Sequence, residues 1–350
     1  MKNRALLLAT IISLPGVLKA NDSQYDEYQR EDSSCEPFRN CYNITLSGSV
    51  LLWQVHEEGL DYVIKNNAGL AFIDDNGSVK RIDFDWDWGF RLALGYNTDC
   101  KMDFYLNWTY YSTDGSDSAS AAFPASIFPV WTIPGSSLTA STEAEASWRL
   151  RLNILDLQMS ALFSPCGFLD LKPRIALTTA WIDQKFNINS SGGLSKGTAA
   201  FVVLDDDIDM KNDFWGIGPK FGVDTNWLLG CGFTFFGNAD VSILYGEFDI
   251  SQQESVLLEG ITPAIVYLDL KNDKFWLSRA NLDFILGLRW ERTFQKGCYH
   301  FALEASWENL FFFGQNQLKR FVDDTNPGIA IPVAGDLTIQ GLTLRASFGF

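Results

Sequence analysis

Residues 83–97, DFDWDWGFRLALGYN, alternate in polarity without a break. Phe84, Trp86, Trp88, Phe90, Leu92, Leu94 and Tyr96 fall on one parity, and Asp83, Asp85, Asp87, Gly89, Arg91, Ala93, Gly95 and Asn97 on the other. Successive side chains of a strand point to opposite faces, so this segment has one greasy face and one charged, glycine-rich face. Strands of soluble sandwiches average about 5–6 residues. A longer strand, aromatic on one side and charged or small on the other, suits a wall between lipid and water.

The first residues fit export. Lys2 and Arg4 precede an apolar run from Ala5 to Leu14, then Pro15 and Gly16 break it and Ala20 offers a small residue for cleavage. We therefore expect a signal peptide over 1–20, an acidic periplasmic segment over 21–42 and a barrel over 43–350. No later run reaches the ~18 apolar residues of a spanning helix, but a closed barrel crosses a membrane with its backbone hydrogen bonds satisfied internally. The chain carries a net charge of −16, and loss of Lys2, Arg4 and Lys19 with the signal leaves −19. That balance excludes a nucleic-acid partner, whose phosphates need cations, and attracts cations instead.

A repeat organises the rest. Cys100, Cys166, Cys231 and Cys298 are spaced 66, 65 and 67 residues apart, each at a short break between alternating runs. Long stretches rich in Gly, Ser, Asn and Asp lie between the breaks. The unit reads as short turn, strand, long loop, strand, the asymmetry of outer-membrane barrels with short periplasmic turns and long extracellular loops. The fold class expected is all-β, a transmembrane antiparallel up-and-down barrel. Parity places strands at 43–55, 81–97, 99–112, 142–163, 167–183, 213–227, 230–248, 275–293 and 298–312, with a last one ending at Phe350. The loops fall at 56–80, 113–141, 184–212, 249–274 and 313–335. The count is about ten; twelve is the alternative, with 60–73 or 256–268 supplying a further hairpin.

Two segments carry a resemblance: WGIGPKFGVDTNWLLGCGFTFFGNADVSILYGEF from Trp215, and LDFILGLRWERTF followed by ASWENLFFFGQNQL. Both resemble the Legionella-type pore-forming outer-membrane proteins and, more loosely, the chlamydial major outer membrane proteins; SGSVLLWQVHEEGLDY resembles that family's opening strand. The resemblance implies a barrel that passes small solutes and is abundant in the envelope. It brings no catalytic residue and no cofactor. Independently of it, Gly216, Gly218 and Gly222 share the inward parity with Lys220 and Asp224. Glycines there either leave room in the lumen and admit close backbone approach, or provide curvature.

The inward parity gives a set of pore-lining candidates: Asp83, Asp85, Asp87, Arg91, Arg149, Arg151, Lys172, Arg174, Lys220, Asp224, Asp283, Arg289, Glu304 and Arg345. On strand 142–163 this reading turns Trp148, Leu150, Leu152 and Ile154 outward and Arg149 and Arg151 inward. Asp83, Asp85 and Asp87 enter from a long loop, while Arg91, Arg149, Arg151, Lys172 and Arg174 lie deeper. The expectation is an acidic vestibule above a basic or mixed constriction, since charged rings set ion preference. The competing reading is that these charges pair across a filled interior, because an 8-stranded barrel is just wide enough to be packed by side chains. Enzyme chemistry is not expected. His56 sits near the outer mouth, within possible reach of Asp83 or Asp85, and His300 at the opposite rim, with no nucleophile elbow in sight. No metal site is expected either, since Asp205, Asp206 and Asp207 lack the spacing of a calcium loop.

Export places the cysteines where disulfides persist. Neighbouring turns on the periplasmic rim lie about 10 Å apart, at two strand spacings, beyond the ~7 Å between Cα atoms that a disulfide spans. Cys35 and Cys41 are close enough in sequence to pair. Cys100, Cys166, Cys231 and Cys298 are either free thiols or cross-links to other envelope proteins, a role the chlamydial resemblance also implies. Phe350 ends the last strand on the outward parity, as an assembly-machinery signal would. The partners expected are outer-membrane lipid, that machinery, and a second copy of the chain or disulfide-linked envelope proteins. Two functions remain open: a pore for small hydrophilic solutes, and a structural or adhesive surface barrel with a plugged interior.

Overall fold

The computed structural model describes residues 43–66, 77–98, 102–122, 125–134, 140–166, 168–194, 202–294, 298–323, 325–326 and 328–350. The expected signal and acidic segment, Cys35, Cys41 and Cys100 lie outside them. Ten long strands form the wall: β1 (Ile44–Glu57), β2 (Trp86–Asn97), β3 (Met102–Ser120), β4 (Glu143–Ala161), β5 (Leu169–Ser191), β6 (Val202–Gly230), β7 (Phe233–Leu258), β8 (Ile265–Phe294), β9 (Tyr299–Asn316) and β10 (Gly335–Gly349). Each pairs antiparallel with its chain neighbours. β10 then pairs with β1 from Thr45↔Gly349 to Glu57↔Leu337 and closes the ring. Closure leaves the wall no free edge. Phe350 completes the seam: its carbonyl accepts from the amides of Asn43 and Ile44, and its own amide donates to Ile44.

The described parts of the two segments considered for a twelve-stranded alternative add no hairpin to the wall. Asp61–Asn66 pairs with Ser78–Arg81 and Ser126–Pro129 in a separate three-stranded sheet. Residues 256–268 divide between the end of β7 and the start of β8. The short-turn rim is as expected, with Gly230, Cys231 and Gly232 turning between β6 and β7 at φ of 93°, 54° and 82°.

The strands are much longer than a membrane requires. A tilted strand crosses the hydrocarbon core with ~9–11 residues, yet β6, β7 and β8 run 29, 26 and 30. Most of the segments expected as loops, including 113–120, 184–191, 202–212, 249–258 and 265–274, are therefore strand. Their side chains show why parity alone hid this. On β5 the outward series Ile175, Leu177, Trp181 gives way to Asp183, Lys185 and Asn187; on β6 the series Phe221, Ile217, Trp215 gives way to Asp213, Lys211 and Asp209. The inward face changes in the opposite sense, from Lys172, Arg174 and Thr178 to Ile182, Phe186 and Ile188 on β5. Below this level the outside is lipid and the inside polar. Above it the outside is water, so the barrel packs an ordinary apolar core.

That inversion corrects the reading of β4, most of which lies above the lipid. Trp148, Leu150 and Leu152 point inward and are 2%, 0% and 0% exposed. Arg149 and Arg151 stand on the outer wall, exposed to solvent, and do not line the lumen. The upper core joins Trp53, Val55, Trp148, Leu150, Phe186, Met210, Phe214, Phe248 and Ile339 to Tyr62, Val63, Ile127 and Trp131 of the small sheet and its flank. Tyr62 donates from its hydroxyl to Asp117 at 3.0 Å; burial and that carboxylate push its phenol above its usual range.

Candidate functional site in the barrel lumen

Two storeys fill the space inside the ring. The lower one, within the lipid-facing band, is polar and charged. Arg91 on β2 reaches Glu308 on β9 with both terminal guanidinium nitrogens, each at 2.9 Å, and donates from Nε to Thr109 at 2.9 Å. Arg174 on β5 lies between Asp224 on β6, at 2.5 Å, and Asp240 on β7, to which its Nε donates at 2.7 Å. Lys220 on β6 pairs with Asp283 at 2.8 Å and with Asp156 at 3.6 Å. Nearer the short-turn rim, Lys172 meets Asp103 at 3.1 Å, and Glu304 is shared by Arg289 at 2.7 Å and Arg345 at 4.0 Å. His300 approaches Glu291 at 3.4 Å.

The sequence-derived candidates Arg91, Lys172, Arg174, Lys220, Asp224, Asp283, Arg289, Glu304 and Arg345 are thus brought together as pairs of opposite charge, a mixed lumen rather than a purely basic one. Arg149 and Arg151 are not among them. Asp87 faces inward and accepts from the Thr113 hydroxyl at 2.5 Å. Asp83 and Asp85 precede β2, exposed at the mouth, and so do not line the narrow lumen. Asp205, Asp207 and Asp209 stand on the outer wall of β6, where Asn189 and Asn187 donate to them. His56 points outward against the Phe84 ring, with centroids 6.1 Å apart, and forms no ion pair with Asp83 or Asp85.

Two central carboxylates escaped the sequence reading. Asp156 shares the parity of Trp148 to Ile154, so the inverted reading of β4 sent it outward. Asp240 lies on β7, directly opposite Gly222, and its parity with Ser242 would have placed it inside. Two of the inward glycines make room for close neighbours. A Cβ on Gly222 would fall 1.7 Å from the Asp240 carboxylate, so that glycine makes room for a lumen charge; a Cβ on Gly218 would fall 1.8 Å from the Ile243 carbonyl, so that one admits backbone.

Above the charges lies an aromatic floor. Trp53 stacks over Arg91 at 5.6 Å, donates from its indole to Thr343 at 3.2 Å, and accepts the Tyr111 hydroxyl on its carbonyl at 2.9 Å. Higher still, a polar thread crosses the core. Gln184 on β5 donates to Glu57 on β1 at 2.8 Å, and Asn212 on β6 donates to Gln184 at 2.5 Å and to the Gln315 carbonyl at 2.8 Å. The pocket among Glu57, Leu60, Trp148, Gln184, Met210 and Leu318 has no space for a water molecule. At that point the upper storey is filled.

Outside, the lower wall presents the apolar band. Trp86, Trp88, Phe90, Leu92, Leu94, Trp108, Trp181, Trp215, Trp276, Trp307 and Phe348 are each at least one-third exposed. Trp86, Trp181, Trp215 and Trp276 mark its upper border, an aromatic girdle of the kind found at membrane interfaces. The family model described as the Legionella pneumophila major outer membrane protein precursor matches residues 39–350. The chain belongs to that family. It is an outer-membrane β-barrel of a Gram-negative bacterium. A comparison with curated proteins gives no match. Among solved structures, the outer membrane protease OmpT of Escherichia coli is similar at 11% identity and a TM-score of 0.40, over 91% of this chain and 99% of that one. A Pseudomonas aeruginosa FadL homologue is similar at 10% identity and a TM-score of 0.30, over 90% and 92%. The P. putida toluene transporter TodX is similar at 9% and 0.29, over 88% and 89%. Likeness at this level says nothing of what this family member does.

The cysteine expectations divide. Cys231 is an exposed, unpaired thiol at the short-turn rim, and Cys298 is half-buried at the next turn. No disulfide joins described residues.

Proposed function

We propose that this family member is a porin-like channel for small hydrophilic solutes or ions, held closed in the conformation described here. The observation that carries the reading is the polarity of the inner wall at membrane level. Ionisable groups at that depth are expensive and mark solute or ion paths, and a ring of paired charges is a filter once its pairs exchange for water. The pairs Arg91–Glu308 and Lys220–Asp283 are the narrow point of that path. The apolar layer above them is the closure. Part of it, Tyr62, Val63, Ile127 and Trp131, comes from the inter-strand segments rather than the wall, and can withdraw without opening the barrel.

Single-channel recording of the refolded barrel in a planar bilayer, with reversal potential in a salt gradient, tests this. Discrete steps with a defined ion preference are expected, and Trp131→Ala with Ile127→Ala raises the open fraction. A barrel that is folded by heat-modifiable gel mobility yet silent, with and without those substitutions, refutes the channel. That outcome would favour the second reading, a structural surface barrel, which the filled upper storey supports.

A further inference from the structure

The inversion of polarity along β4 leaves cations outside the barrel, immediately above the lipid. Arg149 on β4 is in register with Lys185 on β5, and Lys185 with Lys211 on β6. Arg151 lies two residues below Arg149 on the same outward face. Directly opposed cross-strand residues stand about 5 Å apart, so Arg149, Lys185 and Lys211 form a row of like charge. Asp114 stands directly opposite Arg149 and Asp183 directly opposite Arg151, with Asp209 and Asp213 alongside Lys211, yet none of the four cations makes an ion pair with a described residue. In a chain of net charge −16 that is a notable placement.

Below the cations the girdle has a notch. Trp108 and Trp181 project from β3 and β5 on either side of Asn153 and Leu155 of β4, and the four line a groove of about 490 Å³ open to the lipid side. Register sets Trp108 opposite Leu155 and Trp181 opposite Asn153, with Arg151 the next outward residue above the notch. The Asn153 amide has no hydrogen-bond partner in the described chain. Two aromatic walls, an apolar floor, one free amide and a cap of cations form a single continuous surface at the extracellular leaflet.

We infer that this surface binds one phosphorylated glycolipid of the outer leaflet. An acyl chain lies in the Trp108–Trp181 groove, a sugar hydroxyl or amide meets Asn153, and a phosphate sits on Arg151, Arg149 and Lys185. Guanidinium groups match phosphate oxygens bidentately and hold them better than an ammonium does. The amide at the groove floor selects the sugar-bearing lipid over a simple anionic phospholipid.

The probe is diphosphoryl lipid A, added to the refolded full barrel in detergent micelles, with bound lipid counted by native mass spectrometry. Lipid A stripped of its phosphates and phosphatidylglycerol serve as comparators. One lipid A is expected to remain bound per barrel. Arg149→Ala/Arg151→Ala/Lys185→Ala should weaken its binding at least tenfold, while Lys80→Ala/Arg81→Ala/Lys271→Ala, the same charge removed elsewhere above the membrane, leaves it unchanged. Asn153→Trp fills the notch without altering charge and should abolish retention, provided the variant keeps its heat-modifiable mobility. The inference is overturned if the two triple variants lose binding equally, if Asn153→Trp has no effect, or if the wild type holds stripped lipid A or phosphatidylglycerol as tightly as diphosphoryl lipid A. The last comparison needs no variant to fold.

Discussion

Cutting the Arg91–Glu308 pair should destabilise the barrel unequally from its two ends. The pair is bidentate, with the Arg91 side chain 20% and the Glu308 side chain 2% exposed. Removing one member of a buried pair costs about 3–5 kcal/mol, because the other is left charged without compensation. The two halves are not equivalent. Arg91 also feels the carboxylates of Asp156 and Asp283, whereas Arg91 is the one described cation within ion-pair distance of Glu308. Arg91→Met should therefore cost near the upper end, about 5 kcal/mol, and Glu308→Gln near the lower, about 3 kcal/mol. The double variant leaves no bare charge, so it should cost less than the sum, with a coupling of about 2–3 kcal/mol. Urea titrations of refolded protein, followed by tryptophan emission and checked by gel mobility, measure all four corners of the cycle. The same variants report on function in the bilayer. Arg91→Met exposes Glu308 at the narrow point and should shift reversal potential toward cations, and Glu308→Gln should shift it toward anions. Additivity within about 0.5 kcal/mol would mean that the pair is solvated and the lower storey is not a sealed charge layer. Equal reversal potentials in both single variants would place the solute path elsewhere.

Further outcomes follow from the inverted face. Trp148→Ala should lower stability by about 3–5 kcal/mol, as expected for a large core side chain, and the adjacent Arg149→Ala by no more than about 0.5 kcal/mol; thermal unfolding that ranks them the other way would restore the outward tryptophan. Gly218→Val drives a side chain into the Ile243 carbonyl, so the variant should fail to reach the heat-modifiable form, and ordinary folding yield would show that β6 and β7 do not approach as closely as described. Deleting Phe350 removes the carbonyl that accepts two amides at the β1–β10 seam and the ring against Phe348; outer-membrane accumulation should fall severalfold by cell-fraction immunoblot, and an unchanged level would dismiss the terminal aromatic as an assembly signal.

The sequence made the ring legible because alternation survives wherever a strand separates two unlike media. DFDWDWGFRLALGYN and the turns near Cys166, Cys231 and Cys298 sufficed for ten strands and for the inward placement of ten of the fourteen lumen candidates. What alternation does not carry is a sign. A strand with lipid outside and charge inside, and a strand with water outside and an apolar core inside, obey the same period of two. SWRLRLNIL has the second meaning and was read with the first, which cost Asp156 its place and gave Arg149 and Arg151 one they do not hold. Neither segment holds the missing information alone. It lies in the cross-strand register, where Trp148 meets Phe186 while Arg149 meets Lys185, so that one phase must bury four aromatic and aliphatic neighbours and the other would bury a row of cations. The long polar stretches between the turns concealed the same fact. They are rich in Asp and Asn because their outward faces meet water, and Ile188, Ile208, Met210 and Ile250 recur among them at every second position because their inward faces do not. An outer-membrane strand whose sequence turns polar, yet keeps an apolar residue at alternate positions, continues as wall above the membrane.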